Sequence, residues 1–187
     1  MTWAAIAPEQ VSAEGTFSNS KHTYSYGAQA VHLAVDAKTG HVEIVDLVTV
    51  EDVGRIVNSL TLKGQVIGAV VQGLGGVFLE HLVYDEEGQL LTGSFADYLL
   101  PTATDFPQIR AVVLGLHPSP ITPLGAKGAG EGGVIPIGGV VANAIAVALQ
   151  DFGVQPRSLP LSPSRLWGLI NDTSKPARFG RAEPVLS

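Results

Sequence analysis

Alternation of apolar and polar positions is clearest between residues 28 and 50. Ala28-Gln-Ala-Val-His-Leu-Ala-Val-Asp36 and His41-Val-Glu-Ile-Val-Asp-Leu-Val-Thr-Val50 are runs rich in β-branched residues, separated by Ala37-Lys-Thr-Gly40. The pattern predicts an antiparallel hairpin with a turn ending in glycine. In the second strand Val42, Ile44 and Asp46 alternate with Glu43, Val45 and Leu47, an imperfect period that predicts cover on both faces. Glu51 to Asn58 reads as a loop fixed by Asp52, Arg55 and Asn58 through Asx-turn and N-cap bonding. A helix is predicted over 60–82, with Gly64, Gly68, Gln72 and Gly76 four apart on one face and Val66, Val70, Leu74 and Val77 on the others. A helix small or apolar all round is expected to be buried.

Tyr84 to Gly88 is a turn, followed by short strand-like pieces to Pro101 and a strand over 109–116. Residues 117–131 form a loop dense in Pro and Gly. A second apolar helix is predicted over 136–152 and stopped by Gly153. Ser162-Pro163 has the N-cap and N1 pattern of a short last helix through Ile170. With a loose arm over 1–15, a loose tail over 172–187, no repeat and no linker, the expectation is a single α+β domain spanning 1–187. It consists of antiparallel strands packed with two buried, glycine-rich apolar helices.

Composition narrows the function. Of 187 residues, 45% are hydrophobic and 15% charged, which excludes the disordered class. The net charge of −6 and the lack of any basic run exclude a nucleic-acid footprint. No Cys is present, so disulfides, thiolate metal sites and a Cys nucleophile are excluded. Met1 to Pro8 lacks the basic start of a secretion signal, and the expected location is cytoplasmic. The most apolar stretch, 134–149, is interrupted by Pro136 and Asn143 and falls short of the ~20 residues of a membrane span. The 22 glycines cluster in 64–76 and 125–139, which marks close approach of backbone to something else. Low charge for the chain's size points to surface buried against partners.

Three constellations carry chemistry. In Pro123-Leu-Gly-Ala-Lys-Gly-Ala-Gly-Glu131-Gly-Gly133, glycines leave backbone N–H groups unshielded for anionic oxygens. Lys127 adds a positive charge, and Glu131 is a candidate general base. The plainer reading is a glycine-rich surface turn. A phosphate-cradling P-loop is disfavoured because no Gly-Lys-Ser/Thr ending occurs. Gln65 and Gln72 could address a flat ligand across a glycine face, or could serve tight helix packing. Tyr24-Ser25-Tyr26-Gly27 either lines a site or is a turn entering the sheet. His22, His32, His41, His81 and His117 lack metal-ligand spacing.

Glu51-Asp-Val-Gly-Arg-Ile-Val-Asn58, Lys63-Gly-Gln-Val-Ile-Gly-Ala-Val-Val-Gln-Gly-Leu-Gly75 and Gly125-Ala-Lys-Gly-Ala-Gly-Glu131, with Ser25-Tyr26-Gly27 ahead of the hairpin, occur in an order that resembles the xanthine dehydrogenase/aldehyde oxidase family of molybdenum hydroxylases. The resemblance is to the C-terminal part of the molybdopterin-binding subunit and runs from about Thr16 to Ile170. It implies Glu131 as the catalytic base. It further implies Gln72 and Gly73 as cofactor contacts, Lys127, Gly128 and Ala129 as the loop passing the cofactor, and Gln65, Ser25, Tyr26 and Gly27 as residues lining its site. It implies molybdopterin, in the cytosine dinucleotide form, with molybdenum held through the pterin and no metal ligand from this chain. Water would supply oxygen to an aldehyde or N-heterocycle. Electrons would leave through 2Fe-2S clusters to FAD on iron–sulfur and flavin subunits.

Because a complete subunit of that family is several times longer, the chain is either a split subunit or a stand-alone remnant; the intact motifs and low surface charge favour the split subunit, active only with a separately encoded larger molybdopterin subunit. The readings outside this family are a non-catalytic interaction subunit and an anion- or nucleotide-binding glycine-loop protein.

Overall fold

The computed structural model describes residues 13–172. Strand β1 (Tyr26–Val35) runs antiparallel to β2 (Val42–Asp52), as the alternation predicts. Asp36 builds the turn between them: its carboxylate accepts from the Lys38 amide and from the Thr39 hydroxyl, each at 2.9 Å. Gly40 closes the turn with φ of +75°, and a Cβ there would lie 2.1 Å from the Pro163 carbonyl oxygen. Backbone conformation and packing both require glycine at this position.

The imperfect period of β2 has a local cause. His32 faces Asp46 while Leu33 faces Ile44, so Val45 has no partner across the ladder. This is a β-bulge, and the extra residue exchanges the faces of the strand. Ile44 points to the core before it; Leu47, Thr49 and Glu51 do so after it. The expectation that both faces are covered is therefore corrected. Val45 is 48% exposed, and Val112 on the neighbouring strand is 44% exposed on an uncovered outer face.

Strand β3 (Arg110–Leu114) joins β2 in parallel, giving the order β1-β2-β3. The hairpin supplies the antiparallel strands expected, and β3 adds a parallel neighbour to them. The chain leaves β2 through a long helix and returns in the same direction, a crossover that only parallel pairing accommodates. The strand-like pieces expected after Tyr84 reduce to a single bridge between Tyr84 and Leu90.

Helix α1 (Ser59–Phe78) begins where Asn58 accepts from the Leu60 and Thr61 amides at 3.0 and 3.2 Å. It ends four residues before the predicted Leu82. There the Leu79 and Glu80 amides both donate to the Gly75 carbonyl at 2.8 Å, and the Tyr98 hydroxyl donates to Glu80 at 2.6 Å. One face, with Val66, Ala69, Val70, Gly73, Leu74 and Val77, is buried. Burial all round is not observed: Gly64, Gly68 and Gln72 are exposed, and a Cβ at Gly64, Gly68 or Gly76 would meet nothing within 4 Å.

Helix α2 (Ile137–Ala148) passes into a 3₁₀ turn (Gln150–Phe152) that Gly153 ends with φ of +63°, so the predicted stop holds. Helix α3 (Pro163–Ile170) has the predicted bounds with Pro163 in its first turn, although the Ser162 side chain makes no cap hydrogen bond. The helices cover one face of the sheet, and Leu47, Leu74, Ile137, Ile145, Leu149, Leu161 and Leu166 are fully buried between them. The class is α+β, as expected. Among the described residues no helix is long and apolar enough to cross a membrane. The expected arm and tail lie almost wholly outside the described residues.

The two kinds of glycine on α1 separate experimentally. A Cβ at Gly73 would lie 2.1 Å from Ile137 Cγ2, so Gly73→Ala should destabilise the chain by about 1–3 kcal/mol in urea titration. Gly68→Ala, facing open space, should be neutral or stabilising by up to about 1 kcal/mol.

Candidate active site

The glycine loop that follows β3 is tied to the end of β2 by a buried carboxylate. Asp52 is 2% exposed. Its Oδ1 accepts from the Gly54 amide at 3.0 Å and from Lys127 Nζ at 3.2 Å. Its Oδ2 accepts from the Leu116 and His117 amides at 3.0 and 3.2 Å and lies 3.2 Å from His117 Nδ1. Burial alone would raise this carboxyl, but the hydrogen bonds from Gly54, His117, Lys127 and Leu116 outweigh it and hold Asp52 well below the usual carboxylate range. The loop-fixing role expected of Asp52 is thus observed, with more partners than an Asx turn supplies. Lys127 Nζ also stands 4.4 Å from the centre of the Tyr26 ring, a cation–π contact. Its side chain is 8% exposed, so its charge serves this junction rather than Glu131.

From that anchor the loop 125–133 runs between two clefts. The larger, about 520 Å³, is bordered by Ser25, Tyr26, Gly27, Gln29, Thr49, Glu51, Gly128, Gly130 and Glu131, with Tyr24, Ile135 and Pro136 at its rim. Among the described residues it is lined by two carboxyl groups and by no Lys, Arg or His. The second, about 470 Å³, lies on the other side of the loop against Arg55, Asn58, Gln65, Lys127 and Ala129. Glu131 is exposed at the mouth of the larger cleft. Among the described residues the loop amides from Gly128 to Gly133 find no acceptor, leaving a run of donors at the partition.

Three side chains from three elements grip the part of the loop that carries Glu131. Gln65 of α1 donates to the Gly130 carbonyl at 2.9 Å, and Gln29 of β1 donates to the Gly133 carbonyl at 2.8 Å. Glu51 of β2 lies under Gly132, where a Cβ would come within 2.3 Å of Glu51 Oε2. Glu51 is 3% exposed, and burial pushes its carboxyl above the ordinary range despite a 3.4 Å hydrogen bond from Thr49.

Of the residues singled out in the sequence, Ser25, Tyr26, Gly27, Gly128 and Glu131 meet in the larger cleft, and Gln65, Lys127 and Ala129 in the second. Gln72 and Gly73 border neither. Gln72 is exposed on the open glycine face of α1, and Gly73 is buried against Ile137. Sequence reasoning passed over Gln29 and Glu51. Both are polar residues at inward positions of strands, and the signal at position 51 is hidden until the bulge is counted, which gives it the parity of Leu47 and Thr49.

Comparison with known proteins follows this geometry. The family described as "Molybdopterin cofactor-binding domain" matches residues 1–107. The 6-hydroxypseudooxynicotine dehydrogenase complex subunit gamma of Paenarthrobacter nicotinovorans is 39% identical over 168 residues, covering 90% of this chain and 21% of that protein. The nicotine 6-hydroxylase large subunit of the same organism is 38% identical over 152 residues, covering 80% of this chain and 18% of that protein. The crystal structure of quinoline 2-oxidoreductase from Pseudomonas putida 86 superposes with a TM-score of 0.75 at 36% identity, covering 79% of this chain and 19% of that one. The chain therefore spans about a fifth of the length of these relatives.

The Asp52 junction makes an acid-side prediction. A carboxyl depressed on folding stabilises the folded state above its ordinary value of about 3.9, and that contribution is lost as pH falls further. Asp52→Asn should lower Tm at pH 7, and the gap from wild type should close as pH falls below about 4, measured by thermal melts across pH.

Proposed function

Since this chain belongs to the molybdopterin cofactor-binding domain family, we propose that it completes the molybdopterin site of a molybdenum hydroxylase and acts together with a larger molybdenum-binding chain. The observation that carries the reading is the mounting of Glu131. It is the exposed carboxylate of a cleft, held on a loop whose neighbouring carbonyls are fixed by Gln65 and Gln29.

The residues present suit such a cofactor. The unpaired amides of the loop offer donors to phosphate and oxo oxygens, and the open glycine face of α1, with Gln72 on it, admits close approach of a flat group or another chain. Arg55 and Gln65 at the second cleft would face the anionic part of the cofactor. The cytosine dinucleotide form is the form we assign. Molybdenum carried by the pterin supplies oxygen transfer and accepts the substrate's electrons when bound. Glu131 takes up the proton that the oxygen nucleophile loses, and the Gly130–Gly133 turn keeps the carboxylate aimed at the cleft.

A substrate class follows from the relatives. Nicotine and quinoline stand in the names of two of them, so an N-heterocycle is favoured over an aldehyde. With no Cys in the chain, 2Fe-2S clusters have no thiolate ligands here and are assigned to an iron–sulfur subunit, with FAD on a flavin subunit. Large apolar side chains stand exposed around the clefts, with Tyr24 and Ile135 at 76% and Val57 at 74%. Such surface marks an interface, and the larger chain is its occupant in this reading.

The test is Glu131→Gln in the assembled complex. Turnover should fall by about 10²–10⁴-fold, the range of a lost general base, with bound molybdenum unchanged by elemental analysis. Turnover retained at full metal content would reject the base.

A further inference from the structure

Beneath the loop that carries Glu131 lies a buried polar cluster that the proposed reaction does not use. Gln29 and Thr49 face each other across β1 and β2. Gln29 Nε2 lies 3.4 Å from Thr49 Oγ1, and Thr49 Oγ1 lies 3.4 Å from Glu51 Oε1. Two oxygens of the cluster, Gln29 Oε1 and Glu51 Oε2, are buried with no hydrogen-bond partner among the described residues.

Both are acceptors if Glu51 is ionised, and a buried acceptor without a donor is destabilising. A single proton on Glu51 turns one of the two into a donor, and the Gln29 amide oxygen is the other unsatisfied acceptor of the cluster. Among the described residues the one hydrogen bond that favours the anion is the long one from Thr49. From β1 come Gly27 and Gln29, from β2 Thr49, and from the loop Gly132 and the second carboxyl, Glu131; the other titratable groups bordering the cleft are Tyr24 and Tyr26. The nearest cationic junction, Lys127 with Asp52, is already neutralised.

The cluster also sets the height of the loop. Gln29 holds the Gly133 carbonyl, and Glu51 occupies the space in which a side chain at 132 would sit. We propose that Glu51 is a positioning residue for Glu131, standing beneath Gly132 in its acid form, so that together with Gln29 it fixes the turn from which Glu131 projects. Glu51 touches no reacting atom in this arrangement.

Gln is a mimic of the protonated acid, since its amide can donate where the carboxyl O–H does, whereas Leu removes the donor at similar size. The test is a ¹³C-carboxyl NMR titration of Glu131 in the full chain, read alongside the pH–kcat/KM profile of the assembled enzyme. Glu51→Gln should leave the Glu131 midpoint and the acid limb of the profile within about 0.2 units of wild type. Glu51→Leu should move both by more than about 0.5 units and lower kcat by roughly tenfold or more with little change in KM.

An unchanged Glu131 midpoint in Glu51→Leu would overturn the proposal. So would a Glu51→Gln variant as impaired as Glu51→Leu, because that outcome requires the anion. Should Glu51→Leu fail to fold, Gln29→Met removes the hold on the Gly133 carbonyl instead and should move the Glu131 midpoint; an unmoved midpoint overturns the proposal equally. The inference rests on the base reading only for its kinetic arm. If Glu131→Gln keeps turnover while the NMR coupling stands, the base reading fails and the positioning of the loop does not.

Discussion

One unpaired residue decides which side chains reach the site. The bulge at Val45 reverses the parity of β2, and so turns Thr49 and Glu51 toward the helices while Asp46 and Val48 face outward. Without that extra residue the strand would present its two polar inward groups to the open face. The turn bearing Glu131 would then rest on apolar side chains, with no carboxyl beneath Gly132. Everything the loop does starts from this reversal.

The second constraint is the buried charge at the strand's end. Asp52 gathers Gly54, Leu116, His117 and Lys127 onto one carboxylate, joining the exits of β2 and β3 to the beginning of the glycine loop. Two neighbouring acids in the sequence, Glu51 and Asp52, thereby take opposite electrostatic roles. Asp52 is surrounded by donors and kept ionised; Glu51 has one long hydrogen bond, from Thr49, and burial raises its carboxyl. Environment rather than residue type separates them. The loop between the two clefts inherits its fixed path from one acid and its height from the other.

Much of the fold was legible in the sequence because the signals were local. The Asp36–Gly40 turn, the Asn58 cap, the Gly153 stop and the Ser162-Pro163 start each act within a few residues, and each appears where the pattern predicts. What was not legible depends on partners distant in sequence. The parallel docking of β3 is set by the crossover through α1, and the bulge by the fit of β1 to β2. The early end of α1 is set by capture of Glu80 by Tyr98. The same division holds at the site. Glu131, Gln65 and the Ser25–Gly27 segment were recognisable as motifs. Gln29 and Glu51 were not, since their importance lies in what they pack beneath, and the commitment of Lys127 to Asp52 spans 75 residues.

Among the described residues, the glycine face of α1, the outer sheet face and the apolar rims of both clefts are left open, and in the proposed reading a larger chain covers them. Glu131 stands at that surface, and its meaning depends on what closes over it. The most direct measurement is a structure of the assembled complex with its cofactor bound. The expected result places the Glu131 carboxylate about 3–3.5 Å from the reacting oxygen at the metal, closed off from bulk water. A carboxylate turned to the outer surface of the complex, away from the metal, would contradict it.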